Sequence, residues 1–467
     1  MTRPAAEAAR TAGDVSDADA AADDGAAGAA AVTADAGAAG AAAVTADAGA
    51  AGAAAVTADA GAAGAAAARL RAEAEALAPE LAELRHALHA EPELGLELPR
   101  TREKVLAALE GLPLTVTTGK NIGSVTAVLR GAHPGPAVLL RADMDALPLT
   151  EEADVPYASR FEGVMHACGH DLHTAALVGA ARLLSARREE LSGSVVFMFQ
   201  PGEEGYDGAA AMIEEGVLEA AGERPVAAYA LHVSSNGNGV DRLGGVHTRV
   251  GTQTVANAEL HVTVRGVGGH GSTPHQAADP VPAMAEMITA LQTLVTRAVP
   301  AFEPLVLTVG LVRAGTKPNI IPEDASFGAT VRCTSTEGIR DYLRRATALC
   351  EGIAAGHGVR AEVRADEQYP AMVHAAEAVE LARETVTELY GEGAFRISRD
   401  PLMVSEDFSR VLDAVPGVQF QLSACPPEVR PEDAPFNHSG QAVFDDGALP
   451  VGAAVLARMA LRRLARA

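Results

Sequence analysis

The sequence predicts a mixed α/β protein into which a smaller α+β domain is inserted. From about Ser124 to His232, short apolar runs alternate with segments of helical periodicity, as expected of a layered α/β domain. After Gly251 the order becomes strand–helix–strand–strand–helix–strand, which is the split βαβ arrangement of ferredoxin-like domains. The first pattern resumes near Tyr369, so the smaller domain is predicted to interrupt the larger one.

The N-terminal residues form a low-complexity repeat. The stretch GAAGAAAVTADA begins at Gly25, recurs at Gly37 and Gly49, and begins again at Gly61, which is a period of twelve residues. Its Ala, Gly, Val, Thr and Asp residues cannot bury enough apolar surface to offset the entropy of ordering the chain. We predict a disordered or partly helical leader over 1–67. An Ala-rich helix is the alternative, which the two glycines of each repeat disfavour.

The first part of the larger domain is predicted to span 68–252. It opens with an amphipathic helix over 68–90, where leucines recur at helical spacing. Strands are predicted at Ser124–Leu129, Ala137–Arg141, Ser194–Phe199 and Ala227–His232, and helices at His173–Ser185 and Gly208–Gly216. The continuous apolar run of Ser194–Phe199 is typical of a strand that is buried in a parallel sheet.

The inserted domain is predicted to span 253–367, and the larger domain to continue over 368–467. The insertion has strands at Glu259–Arg265, Leu305–Arg313, Ala325–Arg332 and Arg360–Ala365, with helices at Pro280–Arg297 and Glu337–Gly356. Two helices, Glu377–Tyr390 and Leu449–Arg466, are predicted in the final part.

Charge and hydropathy exclude several classes of protein. The net charge is −24 and no basic stripe is present, which argues against nucleic acid or an anionic membrane as a partner. No charged segment leads into an apolar one at the N-terminus, and no strongly apolar run reaches the roughly 18 residues of a membrane span. We therefore predict a cytoplasmic protein.

The segment Met165–Thr174 is the strongest candidate for a metal site. Within eight residues it contains His166, Cys168, His170, Asp171 and His173. Zinc-like ions prefer imidazole nitrogen and thiolate sulfur, and a thiolate can bridge two ions. Chance clustering is the alternative, but such density is unusual in a chain with 14 His. The other cysteines, Cys333, Cys350 and Cys425, form no CxxC pair, and we predict buried free thiols.

Further acid and imidazole groups follow predicted strands. Glu203 and Glu204 come directly after Ser194–Phe199, and of two adjacent carboxylates one can bind metal while the other accepts a proton. A solvated turn is the alternative. His232 ends another strand, and His438 lies near the chain end; either alone is weak evidence.

Together these residues make a set of five candidate ligands: Cys168, His170, Glu204, His232 and His438. Five protein ligands suit two ions that share a bridge and a water, as in co-catalytic hydrolytic sites. Asp143 or Asp145 is predicted to orient a ligating His, with a turn-capping role as an equal alternative.

The inserted domain offers candidate substrate contacts. The turn Gly266–His275 carries His270 and His275, either of which suits an oxyanion, and it lacks the GK[ST] of a phosphate loop. Asn319 is a neutral donor for an amide or an oxyanion, and Arg332 suits a substrate carboxylate. Each of these residues, judged alone, is more often a structural polar group.

In these motifs the chain resembles a known family. The motifs are LHAEPELGLELPRT, RADMDALP, HACGHDLHT, PGEEG, LHV, GGHGSTPH, PNIIP, SEDFS and NHS, and the resemblance extends over nearly everything from about Ala68 to Ala467. The family is that of metal-dependent amidohydrolases and metallopeptidases of the M-twenty type, which includes hippurate hydrolases, aminoacylases and hydrolases of indoleacetate–amino acid conjugates. The leader has no counterpart in the family.

The resemblance implies a fold and an activity. The fold is a mixed-sheet, two-metal aminopeptidase-like catalytic domain with an inserted ferredoxin-like α+β lid, which also mediates dimerisation. The activity is hydrolysis of the amide bond of N-acyl amino acids with two divalent ions, zinc or manganese, with cobalt and nickel as alternatives. A dipeptidase or small carboxypeptidase is an alternative. A non-catalytic metal- or amino-acid-binding protein is another, although it would be expected to lack Glu203 or a ligand.

The resemblance also assigns roles to residues. Cys168 becomes the bridging ligand, where more distant relatives use Asp, and His170, Glu204, His232 and His438 complete the two sites. Glu203 becomes the general base. His270 corresponds to a lid histidine that enters the partner's active site in some relatives, and Asn319 and Arg332 correspond to lid residues that face substrate. The chain departs from the family in NHSGQAVFDD, which lacks the usual Pro, and in the Ser-Thr of GGHGSTPH, so its substrate choice is open.

Overall fold

The first part of the chain builds most of a large sheet and its helices. In the computed structural model, residues 48–237 and 242–466 are described, and for 48–63 the backbone alone. The elements of the first part are α1 (Ala48–His89), α2 (Pro99–Leu109), β1 (Leu114–Thr118), β2 (Val125–Arg130), β3 (His133–Asp143), α3 (His170–Ser185), β4 (Ser192–Gln200), α4 (Gly208–Glu214), β5 (Ala227–Ser234), β6 (Val246–Thr248) and β7 (Gly251–Thr254).

The N-terminal helix is longer than predicted. It begins at Ala48 instead of near Ala68, so the last repeats are helical, as the high helix propensity of alanine favours. The prediction for residues 1–47 lies outside the described residues. The chain divides between Thr57 and Ala58 into two units, and all packing described below belongs to the second.

The remaining elements complete two sheets. The middle of the chain contains β8 (Ala256–Arg265), β9 (Gly269–His270), α5 (Pro280–Ala298), β10 (Leu305–Ala314), β11 (Ile320–Ile321), β12 (Asp324–Cys333), α6 (Thr336–Gly356) and β13 (Arg360–Glu367). The last part contains β14 (Met372–His374), α7 (Ala376–Tyr390), β15 (Phe395–Ile397), α8 (Ser409–Ala414), β16 (Gly417–Ser423) and α9 (Ala448–Ala465).

The large sheet has eight strands in the order β1-β2-β4-β3-β5-β16-β6-β15. The four central strands β4, β3, β5 and β16 run parallel to one another, so their carboxyl ends lie at one edge of the sheet. Side chains alternate between its faces: Leu140 packs in the core with α3 and α9, and Leu139 packs in the core with α4 and α8. The predicted mixed α/β fold is confirmed.

The middle of the chain folds as a separate four-stranded antiparallel sheet in the order β10-β12-β8-β13. Its strands and helices follow the predicted ferredoxin-like order, and α5 and α6 share one apolar core with the sheet. We call residues 256–367 the inserted unit. The chain enters it from β7 through Val255 and leaves it through Gln368–Ala371 into β14, which pairs with β7.

Two further findings concern the whole described chain. All four cysteines are buried and free, as predicted for Cys333, Cys350 and Cys425. Among the described helices, none is both long and apolar enough to cross a membrane.

Candidate metal centre and active site

Cys168 and His170 lie in a tight turn that leads into α3. Gly169 between them has a φ of 81°, in the left-handed region that favours glycine. A Cβ atom on Gly169 would lie 2.3 Å from Cγ2 of Val233, so a larger residue would push the turn away from β5. The glycine therefore lets this turn pack against the end of β5, where His232 lies.

The five predicted ligands converge on the Cys168 thiol. Its Sγ lies 3.4 Å from Nε2 of His232 and 3.3 Å from Nε2 of His438. The donor atoms of Cys168, His170 and His232 lie within 4.8 Å of one another, and those of Cys168, Glu204 and His438 form a second such group. Because Cys168 belongs to both groups, the arrangement suits two neighbouring ions that share one ligand.

Two of the histidines are oriented by backbone carbonyl groups. Nδ1 of His170 lies 2.8 Å from the carbonyl oxygen of Asp145, and Nδ1 of His232 lies 2.9 Å from that of Val233. Such contacts make Nδ1 the donor and leave Nε2 available as a ligand atom. Nε2 of His170 is buried and has no hydrogen-bond partner within the described residues, which fits an atom that binds a metal ion.

The electrostatics of the site favour a thiolate. Burial alone raises the pKa of the Cys168 thiol, but the imidazoles of His232 and His170 hold it well below its ordinary value. Burial lowers the pKa of His232, yet the Cys168 sulfur raises it to about 8. Hydrogen bonds to Cys168 and Glu204 raise the pKa of His438 to about 10. The thiolate is the form of cysteine that binds metals, so this donor set fits divalent zinc-like ions.

Glu203 is a buried carboxyl group beside the candidate ligand Glu204. Burial raises the pKa of Glu203 well above the usual carboxyl range, and the neighbouring Glu406 raises it further. A carboxyl group with a raised pKa is suited to accept and return a proton near neutral pH. Glu203 is 7% exposed and lines the cavity, so it is open to a bound substrate.

The two candidate aspartates have different partners. Asp145 accepts hydrogen bonds from the backbone N–H of Glu203 (3.0 Å) and of Glu204 (3.1 Å), and so fixes the loop that carries both carboxylates. Asp143 contacts Nδ1 of His173, whose Nε2 accepts a hydrogen bond from Val233 N (2.8 Å). Both ring nitrogens of His173 therefore contact protein groups. Asp145 orients the ring of His170 through its backbone carbonyl group.

A buried arginine beside the site was missed by the sequence reasoning. Arg141 is fully buried and donates to Asp143, Glu406 (3.0 Å) and Asp407 (2.9 Å). It compensates the negative charge that gathers behind Glu203. The SEDFS motif, which contains Glu406 and Asp407, was the signal that could have indicated this network.

Asn437 also escaped the sequence reasoning. Its Nδ2 donates to the carbonyl oxygens of Val233 (3.0 Å) and Cys168 (3.3 Å), and its Oδ1 accepts from Ser235 N (3.1 Å). The next residue, His438, has a φ of 69°, which is unusual for a residue with a side chain. Asn437 thus ties together the segments that carry three of the candidate ligands.

A cavity of about 740 Å³ opens beside these groups. Its polar wall includes four of the five candidate ligands (all but His170) together with Glu203, Asn257, Tyr369 and Arg332, and its apolar wall consists of Val233, Leu402, Met403, Val404 and Phe436. Three of these apolar side chains are about half exposed: Met403 by 48%, Val404 by 49% and Phe436 by 46%. Apolar surface that is open to a cavity in this way is typical of small-molecule sites.

Arg332 is the predicted substrate residue that the structure brings to the cavity. It projects from β12 and donates to Ser405 Oγ. Burial lowers the pKa of its guanidinium group, and within the described chain no carboxylate forms an ion pair with it. An arginine without an acid partner in a cavity is suited to a ligand carboxylate.

The other predicted substrate residues lie elsewhere. His270 and Asn319 are exposed at the small two-stranded sheet of β9 and β11 in the inserted unit, where His270 pairs with Ile320 and Asn319 directly precedes β11. His275 is exposed in a short turn at Pro274–Gln276. None of the three lines the cavity, so within this chain the structure does not bring them to the metal centre.

Comparisons with known proteins agree with this geometry. Residues 139–462 match the family model described as peptidase family M20/M25/M40. The chain is 33% identical over 389 residues to the hippurate hydrolase of Campylobacter jejuni, which covers 83% of this chain and 97% of that protein. It is 33% identical over 418 residues to thermostable carboxypeptidase 2 of Saccharolobus solfataricus, which covers 84% of this chain and 98% of that protein.

Solved structures share the fold. The YXEP protein of Bacillus subtilis, described as a dinuclear metal-binding peptidase, superposes with a TM-score of 0.71 at 29% identity. The match covers 84% of this chain and 99% of that one.

Proposed function

Since this chain is a metal-dependent amidohydrolase that belongs to peptidase family M20/M25/M40, we propose that it cleaves N-acyl amino acids with Glu203 as the general base. The observation that carries the proposal is the Cys168 thiol, which belongs to two groups of ligand atoms beside a buried carboxyl group. We also propose the division into a leader (1–67), a catalytic domain (68–252 and 368–467) and a lid (253–367).

Two divalent ions fit the donor set. Cys168, His170 and His232 would hold one, and Cys168, Glu204 and His438 the other. Thiolate and imidazole donors suit zinc or manganese, with cobalt and nickel as alternatives. When bound, such ions lower the pKa of water and polarise the scissile carbonyl group.

The protein's own groups bind the substrate and move the proton. Arg332 binds the carboxylate of the amino acid, since no protein acid occupies it within the described residues. Glu203 accepts the proton of the attacking water and returns it to the leaving amine. Asp145 keeps Glu203 and Glu204 in place through their backbone N–H groups.

The apolar wall favours an N-acyl group over a free amine. Phe436 lies two residues before His438, so the wall begins next to the metal centre, where the scissile carbonyl group must bind. An apolar acyl group would cover Phe436, Met403 and Val404, whereas a charged ammonium group there would lose hydration without a matching partner. The alternative, a dipeptidase or small carboxypeptidase, is favoured by the resemblance to thermostable carboxypeptidase 2.

We further propose that the active protein is a homodimer. His270 and Asn319 are exposed and lie outside the cavity, so a second copy is needed to bring such donors to it. The edge strand β10 exposes the apolar Val306, Leu311 and Val312, which suits a contact between two copies. Donors supplied by the second copy would stabilise the oxyanion.

Substitution of Glu203 tests the proposed function. In Glu203→Gln we expect kcat on hippurate to fall about 10²–10⁴-fold, because the proton acceptor is lost. The metal content should remain that of the wild type, since Glu203 belongs to neither ligand group that contains Cys168. Glu204→Gln is the matched variant, and it should lose metal as well as activity.

The assay also separates the two substrate classes. Hydrolysis of N-acyl amino acids and of dipeptides is measured with added manganese or zinc. Wild-type activity in Glu203→Gln would contradict the role of this residue, and faster hydrolysis of dipeptides than of N-acyl amino acids would favour the alternative.

A further inference from the structure

Tyr369 lies where the chain returns from the inserted unit to the large sheet. The segment that enters the inserted unit and the segment that leaves it are bound to each other there by backbone and side-chain groups. Asn257 N donates to the Tyr369 carbonyl oxygen (3.0 Å), and Tyr369 N donates to Asn257 Oδ1 (2.9 Å). Gln368 N donates to the Asn257 carbonyl oxygen (3.0 Å), and Asn257 Nδ2 donates to Gln368 Oε1 (2.6 Å). We call Asn257, Gln368 and Tyr369 the crossing clamp.

The side chain of Tyr369 extends from the clamp to the loop of the general base. Its hydroxyl group donates to the carbonyl oxygen of Glu203 (2.9 Å) and accepts from Asp207 N (3.4 Å). Burial raises the pKa of Tyr369 above its usual value, so the hydroxyl group remains protonated and able to donate. The ring itself forms part of the cavity wall.

The Glu203 backbone is therefore held from two directions. Asp145, which follows β3 of the large sheet, accepts from the N–H groups of Glu203 and Glu204. The Tyr369 hydroxyl group binds the carbonyl group of Glu203. Asn257, the second residue of β8, connects Tyr369 to the inserted unit. A shift of the crossing clamp must therefore either stretch the hydroxyl contact or move the Glu203 peptide.

We propose that the Tyr369 hydroxyl is a positioning group that links the inserted unit to the general base. The inference rests on the proposed role of Glu203. A catalytic group that is misplaced by about 1 Å can lose on the order of 100-fold in rate, so one contact on the Glu203 peptide is enough to change turnover. The hydroxyl does not touch the substrate carboxylate site at Arg332, so substrate binding is left unchanged.

Tyr369→Phe tests the link because it removes the hydroxyl group and keeps the ring. We expect kcat on hippurate to fall about tenfold, the effect of losing one hydrogen bond, while KM stays within about twofold. Metal content should match that of the wild type, and the melting temperature should fall by no more than the few degrees that loss of one hydrogen bond costs. Tyr206→Phe is the control: Tyr206 lies on the same loop, is 55% exposed and is not part of the cavity, so its kinetics should not change.

A double-mutant cycle tests the route through the clamp. Asn257→Ala removes two contacts of the clamp and should also lower kcat. If the hydroxyl acts through the clamp, the double variant should be no slower than the slower single variant. If the fold-losses in kcat of the two single variants multiply in the double variant, the two residues act independently and the link is overturned.

Other outcomes of the Tyr369→Phe experiment are also decisive. An unchanged kcat would contradict the inference even if Glu203→Gln is inactive, and the proposed function would then stand alone. A fall in kcat together with loss of metal, or with a fall in melting temperature much larger than one hydrogen bond explains, would assign the hydroxyl a structural role and would also overturn the inference. Full activity in Glu203→Gln would instead remove the premise.

Discussion

Cys168 is the residue on which both groups of ligand atoms depend. It is 6% exposed, and two imidazoles lie within hydrogen-bonding distance of its sulfur. Serine has a similar size but does not ionise near neutral pH, and so it offers a much weaker bridging ligand. We therefore expect replacement of the thiol to reduce metal binding much more than it disturbs packing.

Replacement of Cys168 by serine should release metal. We expect the affinity for zinc to fall by more than the roughly 10–100-fold that is typical when only an outer partner of a ligand is removed. Cys168→Asp should retain more metal than Cys168→Ser, because a carboxylate can also bridge two ions. The metal content of purified protein, determined by elemental analysis, checks both expectations.

Cys425→Ser is the matched control for these variants. Cys425 is buried too, but among the described residues its sulfur lies close only to the carbonyl oxygens of Pro426 and Val429 and belongs to neither group of candidate ligand atoms. A wild-type metal content in Cys168→Ser would show that the thiol is not a ligand.

At the scale of single residues, the sequence predicted candidate ligands that cluster in short motifs or follow strands. It did not predict the residues that hold them in position. Cys168, His170, Glu204, His232 and His438 stand in short motifs or directly after apolar runs, where spacing alone is informative. Arg141, Asn437 and Tyr369 each have a partner that lies 166 to 269 residues away, such as Glu203 for Tyr369 and Cys168 for Asn437. Such pairings depend on strand order, which spacing in the sequence does not give.

Among the elements, α1 and α3 are joined by buried ion pairs. Arg85 of α1 is 1% exposed and donates through Nε to Asp171 of α3 (2.8 Å), and its Nη1 donates to Asp446 (2.9 Å). His89 of α1 places Nδ1 2.8 Å from the same Asp171. Because Asp171 follows the candidate ligand His170, these contacts also fix the first turn of α3.

Neutralising Asp171 should destabilise the protein. In Asp171→Asn, Arg85 keeps Asp446 and His89 keeps Glu151, but both lose the buried anion that they share, and such a loss is expected to cost about 3–5 kcal/mol. Denaturant unfolding measures the change. Glu80→Gln is the matched control: its exposed ion pair with Arg182 joins the same two helices, so the change should stay within about 1 kcal/mol.

The contact between His89 and Asp171 also makes the stability of the protein depend on pH. Burial lowers the pKa of His89, but Asp171 raises it to about 9 from 6.5. The folded pKa lies above the unfolded one, so this stabilisation is complete below pH 6.5 and is lost as the pH rises through 9. Asp171→Asn should show a smaller decline, because Glu151 still contacts His89, and an equal decline in both proteins would assign it to other groups.

The strongly patterned elements were predicted and the irregular ones were not. Long apolar runs such as β4 and long periodic helices such as α6 matched their predicted bounds within a few residues. The strand β16 was missed although it is fully buried, because Gln419 and Gln421 interrupt its apolar pattern. The short strands β6 and β15 carry too few residues for any periodicity.

For the whole molecule, the proposed homodimer makes a specific prediction. If His270 acts in the second copy's site, co-expressed His270→Ala and Glu203→Gln chains should form mixed dimers with one complete site. Activity should reappear in the mixture, although each variant alone is nearly inactive. Separately purified homodimers that are assayed immediately after mixing, before their chains can exchange, serve as the control.

Two results would contradict a shared site. Full activity of His270→Ala would remove any catalytic role of that residue. A mixture no more active than its components, with mixed dimers detected by mass, would show that His270 acts within its own chain.

The position of β16 has a consequence for how the protein is made. This strand occupies the place between β5 and β6, yet residues 249–416 must be synthesised before it appears. At 5–20 residues per second this takes roughly 10–30 seconds. During that time the backbone N–H and C=O groups along one edge of β5 have no partner strand, and its side chains Tyr229, Leu231 and Val233 are apolar. Such an edge can pair with strands of other chains. We therefore expect that the large sheet closes, and that His438 reaches the Cys168 thiol, only after the segment from β16 onward has been synthesised.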